Sequence, residues 1–147
     1  MELRSKLKKY LGIVIMIFLL NSCVETHDTF RSKKLVSSKG EEIYINSLNW
    51  GMTDDNQYTV ISKDGNRLKE RNDTIGGIRG LTPFIYKFSN DTLTIFLQNG
   101  NKMDIKQRFE TIVLNSIYVE NRDYMELIRR AGKREEGYCL VPDNSDM

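Results

Sequence analysis

The distribution of apolar positions after residue 41 is typical of β-strands. Residues 42–50 alternate between apolar and polar side chains, which puts Ile43 and Ile45 on one face of a predicted strand. Residues 57–63 are rich in β-branched side chains, which fit a pleated surface. Both runs are short and are bounded by turn residues, so the pattern predicts a β-rich domain.

Two glycine-centred turns predict tight hairpins. Asp64-Gly65-Asn66 follows the run that ends at 63, and Asn99-Gly100-Asn101 follows a similar run over 91–98. Asp-Gly and Asn-Gly supply the positive φ angles that two-residue hairpin turns require. We therefore predict return strands over 67–70 and 102–106.

Residues 84–98 predict a further hairpin, with Asn90-Asp91 as its turn. Each of its strands has one apolar face, formed by Phe84, Tyr86 and Phe88 on the first strand and by Leu93, Ile95 and Leu97 on the second. Residues 110–120 form the longest strand-like run, and we predict that they are a central strand.

One helix is predicted over 121–131. Asn121 is a favourable N-cap, and Gly132 is suited to end the helix. Glu126 and Arg130 are spaced as an i,i+4 ion pair on the polar side. The apolar stripe, which we expect to pack on the sheet, consists of Tyr124, Leu127, Ile128 and Ala131.

These elements predict a mainly β fold. We expect an antiparallel meander of six or seven strands that forms a small sandwich or an open barrel, with one C-terminal α-helix. Residues 41–147 are enough for a single small domain.

The N-terminus has a different pattern. Four basic residues before position 10 are followed by an apolar run over 11–20, which is too short to span a bilayer and has the length of a signal-peptide core. The following Leu20-Asn21-Ser22-Cys23 resembles the lipobox of bacterial lipoproteins. That resemblance implies that residues 1–22 are a cleaved signal peptide, that Cys23 carries the lipid, and that the membrane is a partner. Residues 23–40 are polar and predict a flexible tether. Val24 after the cysteine favours the outer membrane.

Charge and cysteine content exclude several classes. Removing residues 1–22 takes away four basic residues and one acidic residue, so the remaining chain is close to neutral and nucleic acid is not expected as a partner. If Cys23 is lipidated, Cys139 has no intramolecular partner. We expect Cys139 to be a small buried apolar residue, with a reactive or intermolecular thiol as the alternative.

The sequence offers little material for catalysis. His27 is the only histidine and lies in the predicted tether, which excludes Ser–His and Cys–His machinery and multi-histidine zinc sites. The glycine-rich segment 76–80 lacks the lysine of a phosphate-binding loop. Asp54-Asp55-Asn56 lacks the ligand spacing of a calcium loop and predicts a polar hairpin loop. No catalytic residue, metal or cofactor is predicted.

Candidate binding residues cluster around the sole tryptophan and two loops, 51–57 and 73–82. An aromatic platform could stack on a sugar ring or on an apolar side chain of a partner, although aromatic residues more often build the core of a small β domain. The predicted binding residues are Trp50, Met52, Asp54, Asp55, Arg79 and Leu81. Thr74 and Thr92 each follow an aspartate and precede an aliphatic residue, which resembles the acceptor pattern of a bacterial O-glycosylation system.

We therefore predict a non-enzymatic, lipid-anchored cell-envelope protein that binds a protein partner or a glycan. One alternative is an inhibitor or immunity protein that neutralises a toxin or hydrolase in the envelope. A second alternative is a carboxylate-dependent hydrolase, which would need a deep acidic cleft.

Overall fold

The computed structural model describes residues 28–51, 56–74, 77–79, 84–100 and 107–141. Within these ranges the chain forms two four-stranded sheets and one α-helix. Of the helices that lie there, none has the length and apolar character needed to cross a bilayer.

Sheet A is an antiparallel meander. Its strands follow the chain in order: β1 (Thr29–Val36), β2 (Glu42–Trp50), β3 (Asn56–Ser62) and the short β4 (Ile78–Arg79). Strands β2 and β3 are antiparallel and pair from Tyr44 opposite Ser62 to Trp50 opposite Asn56. Asp54 and Asp55 of the predicted polar loop lie outside the described residues, and Asn56 begins β3.

Sheet B has the spatial order β7-β6-β5-β8. The strands are β5 (Phe84–Ser89), β6 (Thr92–Gln98), β7 (Val113–Val119) and β8 (Tyr138–Val141). Strand β5 is antiparallel to both of its neighbours, whereas β6 and β7 are parallel. The prediction of a mainly β fold is confirmed, with a sandwich-like pair of sheets rather than a closed barrel.

The main core lies between the two sheets. It contains Ile43, Ile45 and Ile61 from sheet A. From sheet B it contains the alternating set Leu93, Ile95 and Leu97 together with Tyr86 and Val141. Because successive side chains of a strand point to opposite faces, the alternation in the sequence places these residues on the inner faces. The hairpin over 84–98 is confirmed, and both Asn90 and Asp91 have positive φ, as the turn requires.

Helix α1 (Asn121–Gly132) covers the outer face of sheet B. Tyr124, Leu127 and Ala131 are buried there against Ile85 and Phe96, which confirms the predicted stripe. The predicted Glu126–Arg130 pair is wrong, because Glu126 pairs with Arg129 and Arg130 pairs with Glu136.

Both predicted ends of the helix are shifted. The N-cap is Glu120 without a capping side chain, and Asn121 instead accepts a hydrogen bond from Gln98. Gly132 is still helical, and the left-handed residue that follows the helix is Arg134, with φ of 54°. The backbone N–H of Arg134 donates to the Ala131 carbonyl. Arg134 therefore makes the C-terminal capping hydrogen bond expected of Gly132, two residues further along the chain.

The predicted tether over 23–40 is wrong for residues 29–36. Thr29–Val36 pairs along its whole length with β2, from Thr29 opposite Asn49 to Val36 opposite Glu42. Phe30 packs on the outer face of sheet A, and Leu35 packs on the inter-sheet core. The domain therefore includes β1, and the lipidation residue Cys23 lies outside the described residues.

Two strand predictions also fail. Residues 67–70 form turns rather than a return strand, and Leu68 is fully buried there with φ of 73°. Residues 110–120 contain β7, which lies at the edge of sheet B and not at its centre. The predicted strand over 102–106 lies outside the described residues.

Candidate functional site

Three aromatic side chains lie together on the outer face of sheet A. Phe30, Trp50 and Tyr58 are each partly buried, and we call them the aromatic shelf. The rings of Trp50 and Tyr58 stack with centroids 5.4 Å apart and an interplanar angle of 16°. Because Leu48 is the direct cross-strand partner of Tyr58, Trp50 is its diagonal neighbour, and that separation is within reach of aromatic rings.

A cation lies over the Trp50 ring of the shelf. The guanidinium carbon of Arg71 is 5.8 Å from the Trp50 ring centroid. Both carboxylate oxygens of Asp28 accept hydrogen bonds from Arg71, the Nε–Oδ2 distance being 2.8 Å. These hydrogen bonds lower the pKa of Asp28 and raise that of Arg71. The pair therefore stays charged at neutral pH and holds the guanidinium near the indole.

The shelf is built on a small buried cluster. Leu48, Val60 and Leu68 form this cluster, and the three shelf aromatics pack against it. Leu68 comes from the turn segment 64–73, which folds over sheet A. The left-handed backbone at Leu68 turns its side chain into the cluster, so the buried contacts offset the cost of a positive φ.

One buried amide fastens this turn segment to the sheet. The side-chain nitrogen of Asn46, which is fully buried, donates to the carbonyls of Asp64 and Arg67 at 2.9 and 2.8 Å. Its oxygen accepts a hydrogen bond from the Ser32 hydroxyl at 2.6 Å. Every polar atom of the amide therefore has a partner of the correct kind.

Asp73 and Gly65 complete the segment. Asp73 accepts a hydrogen bond from the Leu68 backbone N–H at 2.8 Å and forms an ion pair with Arg67. Gly65 lies so close to Tyr44 that a Cβ would be 2.9 Å from the ring. The glycine predicted to make a hairpin turn is thus required by close packing, and the positive φ falls on Leu68.

The structure describes part of the predicted binding set. Trp50 ends β2 on the outer face of sheet A, so it belongs to a surface cluster and not to the inter-sheet core. Arg79 lies in β4 with its backbone opposite Tyr58, which brings the second predicted loop beside the shelf. Met52, Asp54, Asp55 and Leu81 lie outside the described residues.

Three residues of this surface were missed by the sequence analysis. Phe30 and Asp28 fall in the segment predicted to be a tether, and Arg71 directly follows the predicted return strand over 67–70. Phe30, Leu35 and Val36 are apolar and could have indicated a strand in this segment. The lysines and serines between them made the segment resemble a polar linker.

A second polar cluster surrounds Glu41, whose side chain is 11% exposed. Its carboxylate accepts hydrogen bonds from the backbone N–H groups of residues 110, 111 and 112, and from the Thr111 hydroxyl at 2.8 Å. The Lys63 ammonium lies 2.9 Å away. These donors hold the pKa of Glu41 far below its usual range. A general acid needs a raised pKa, so the lowered pKa of Glu41 does not suit acid catalysis. Its hydrogen bonds instead hold residues 110–112, the segment before β7, in place.

The two predicted glycosylation residues lie beside turns. The Thr74 carbonyl accepts a hydrogen bond from Gly77, and the Thr92 hydroxyl donates to the Asn90 carbonyl at 3.3 Å. Asp91, which precedes Thr92, accepts hydrogen bonds from the backbone N–H and the hydroxyl of Ser38. Each Asp-Thr pair therefore includes an aspartate that stabilises a turn.

Cysteine and metal chemistry are limited in the part of the chain that the structure describes. Cys139 is a free thiol that packs on the inter-sheet core, but it is half-buried rather than buried as expected. The described ranges contain no group of three or more His, Cys, Asp or Glu side chains that could hold a metal ion.

The fold and the shelf together define a small two-sheet β domain with a helix on one outer face and aromatic side chains on the other. Comparisons with protein-family models, with curated proteins and with solved structures find no match to this chain.

Proposed function

We propose that this chain is a non-enzymatic, lipid-anchored protein of the cell envelope, located at the outer membrane, that binds a protein partner or a glycan through the aromatic shelf. The observation that carries this proposal is the half-exposed Trp50–Tyr58 stack beside Arg71. Stacked aromatic rings offer a flat apolar surface, and the guanidinium adds hydrogen-bond donors at its edge. Sugar rings and apolar side chains of a partner protein both fit such a surface.

The position of β1 supports a partner close to the membrane. Asp28, which is bonded to Arg71 beside Trp50, comes five positions after the proposed lipidation residue Cys23. A fully extended chain spans about 3.5 Å per residue, so this connection reaches roughly 18 Å. The lipid would thus keep the shelf within a short distance of the membrane surface.

Intact mass tests the anchor. We expect protein purified from membranes of the native host to have the mass of residues 23–147 plus lipid. A Cys23→Ala variant should lack the lipid and retain the N-terminal segment, because the lipobox needs its cysteine. An unlipidated wild-type chain would remove the anchor from the proposal. The same spectrum tests Thr74 and Thr92, since a glycan would add a second mass increment.

The Trp50→Ala substitution tests the shelf. In the full-length protein in its host, a photoreactive phenylalanine derivative at position 58 should form an adduct with the partner. With alanine at position 50, we expect about tenfold less adduct, because one half of the stack is lost. Trp50→Phe is the conservative control and should retain most of the adduct.

A photoreactive residue at Tyr44 provides the matched position control, because Tyr44 is a partly buried aromatic residue of β2 away from the shelf. Mass spectrometry of the adduct separates a protein partner from a glycan. Equal adduct at positions 44 and 58, or unfolding of Trp50→Ala, would contradict a binding role for the shelf.

A further inference from the structure

Among the described strands, β7 lies at an edge of sheet B. Strand β6 lies on one side of it, and no described strand pairs with the other side. Its sequence, VLNSIYV, contains neither a charged residue nor a proline. Val113, Ile117 and Tyr118 are exposed by 61%, 37% and 51%. Edge strands are normally protected by charges, prolines or bulges, so this edge is chemically suited to pairing with another strand.

The hydrogen bonds to β6 show which backbone groups face the open side. The Val113 N–H donates to the Asp91 carbonyl at 2.8 Å, and the Val119 carbonyl accepts from Asn99 at 3.1 Å. In a strand, the N–H and C=O of one residue point to the same side, and the side alternates along the chain. The odd-numbered residues therefore bond to β6. Leu114, Ser116 and Tyr118 direct three N–H and three C=O groups outwards.

We propose that β7 pairs antiparallel with β7 of a second copy of this chain, about a twofold axis at Ser116. In this register Ser116 lies opposite its own counterpart, and Leu114 lies opposite Tyr118. These are pairs of the hydrogen-bonded kind, each of which exchanges two bonds. The register satisfies all six outward groups, whereas a shift of two residues leaves some of them unpaired.

The side chains are complementary about the same axis. Val113 lies opposite Val119, and the exposed ring of Tyr118 covers Leu114, which gives apolar cross-strand pairs. Ile117 lies opposite Asn115 and diagonal to its own counterpart. No charge within the strand opposes a like charge.

The charges that flank β7 favour a second copy over an unrelated strand. Glu110 lies three residues before β7 and Arg122 lies three residues after it, so the twofold axis brings Glu110 of one copy to the same end of the paired strands as Arg122 of the other. The Glu110 side chain is 88% exposed, with Lys63 at 4.0 Å, and Arg122 is exposed on the first turn of helix α1. An antiparallel pair therefore brings opposite charges together at both ends. This interface lies on a different sheet from the aromatic shelf and does not depend on it.

Disulfide cross-linking in the host membrane tests the register. Two tagged full-length copies, both carrying Cys139→Ser, are co-expressed, one with Asn115→Cys and the other with Ile117→Cys. These positions face each other as a non-hydrogen-bonded pair, with Cα atoms about 4.5 Å apart, which a disulfide can bridge. Copper-phenanthroline oxidation in air should link the two tags. Asn115→Cys expressed alone should give several-fold less dimer.

Two further variants test the edge itself. Ser116→Pro removes one outward N–H and leaves the bonds to β6 intact, so we expect about tenfold less cross-linking, whereas Ser116→Ala should have no effect. Should the proline variant fail to fold, Glu110→Arg provides an independent test. It places like charges together and should reduce cross-linking several-fold, and adding Arg122→Glu should restore it.

Cross-linking between the two tags that is lost with Glu110→Arg and restored by the charge exchange would support the proposal. Absence of a cross-link in every combination would overturn it. A cross-link from position 117 to a different protein would also overturn it, because the edge would then be occupied by another partner.

Discussion

Replacing Asn46 by aspartate is expected to lower the free energy of unfolding by about 3–5 kcal/mol, because it replaces a buried donor with a carboxylate oxygen that faces two carbonyl oxygens. The side-chain nitrogen of Asn46 donates to the Asp64 and Arg67 carbonyls in a fully buried position. A carboxylate there would repel both oxygens. A protonated acid could donate to only one of them. Urea unfolding at pH 7 measures the loss.

Asn66→Asp is the matched control for this prediction. Asn66 lies in the same turn segment but is exposed, so the identical chemical change should alter stability by no more than about 0.5 kcal/mol. Asn46→Leu should fall between the two, since it leaves the carbonyls unpaired without adding charge. Equal stability of the Asn46→Asp and Asn66→Asp variants would show that the amide does not hold the turn segment.

Loss of the Asn46 amide should also disturb the aromatic shelf. The segment that Asn46 fastens carries Leu68, and Leu68 belongs to the cluster on which Trp50 packs. Trp50 is the only tryptophan of the chain, so its fluorescence reports on this surface alone. We expect a red-shifted emission in Asn46→Asp before global unfolding, and no shift in Asn66→Asp.

Glu41→Gln is expected to lower the midpoint of thermal unfolding by ~5–10 °C at pH 7. The glutamine keeps the shape, but its amide nitrogen must face a backbone N–H or the Lys63 ammonium, all of which are donors. Glu42→Gln is the matched control. The Glu42 carboxylate is 45% exposed and pairs with Lys34, so its neutralisation should have little effect.

The effect of Glu41 should depend on pH in a defined direction. Its pKa is lowered from an ordinary value near 4.5 by hydrogen bonds to the backbone and to Lys63. A group with a lowered folded-state pKa contributes its full stability above its unfolded pKa and loses it as the pH falls. The difference between wild type and Glu41→Gln should therefore be constant from pH 7 to about 5 and shrink below pH 4.5. A difference that stays constant down to pH 3 would contradict this account.

The elements that the sequence predicted correctly have local signals. Leu93, Ile95 and Leu97 alternate over a strand of ordinary length, and the preceding turn pair adopts the positive φ angles that its residue types favour. The stripe of helix α1 likewise follows from a spacing of three and four residues. These patterns arise because each strand or helix buries one of its faces, so they can be recognised from the local sequence alone.

The elements that the sequence analysis missed depend on distant contacts. Strand β1 carries lysines and serines because its exposed positions need no apolar side chain, and its pairing with β2 defines it as a strand. The Asp64-Gly65-Asn66 turn does not lead into a strand because Asn46 binds the carbonyls of residues 64 and 67. The run around β7 is apolar enough for a central strand, but its parallel pairing places it at an edge.

In the candidate binding surface, too, one residue was predictable from the local sequence and the others were not. The sequence identified Trp50 as a residue at the boundary of a strand and a polar loop, which β2 confirms. It could not identify Phe30 or Arg71 as neighbours of Trp50, because they come from two other parts of the chain. Stacking between diagonal positions requires the β2–β3 register, which the local pattern does not give.

The sequence by itself determined that the chain forms a mainly β domain with an amphipathic C-terminal helix, and it supplied the N-terminal features that predict a lipid anchor. Periodicity and residue type carry this information because each strand or helix must bury one face whatever its partner is. Tertiary structure alone decided that β1 belongs to the domain, that β6 and β7 are parallel, and that three aromatic rings lie together on one face with an arginine over Trp50. Each of these depends on bonds or contacts between residues far apart in the chain, so no local pattern could specify them.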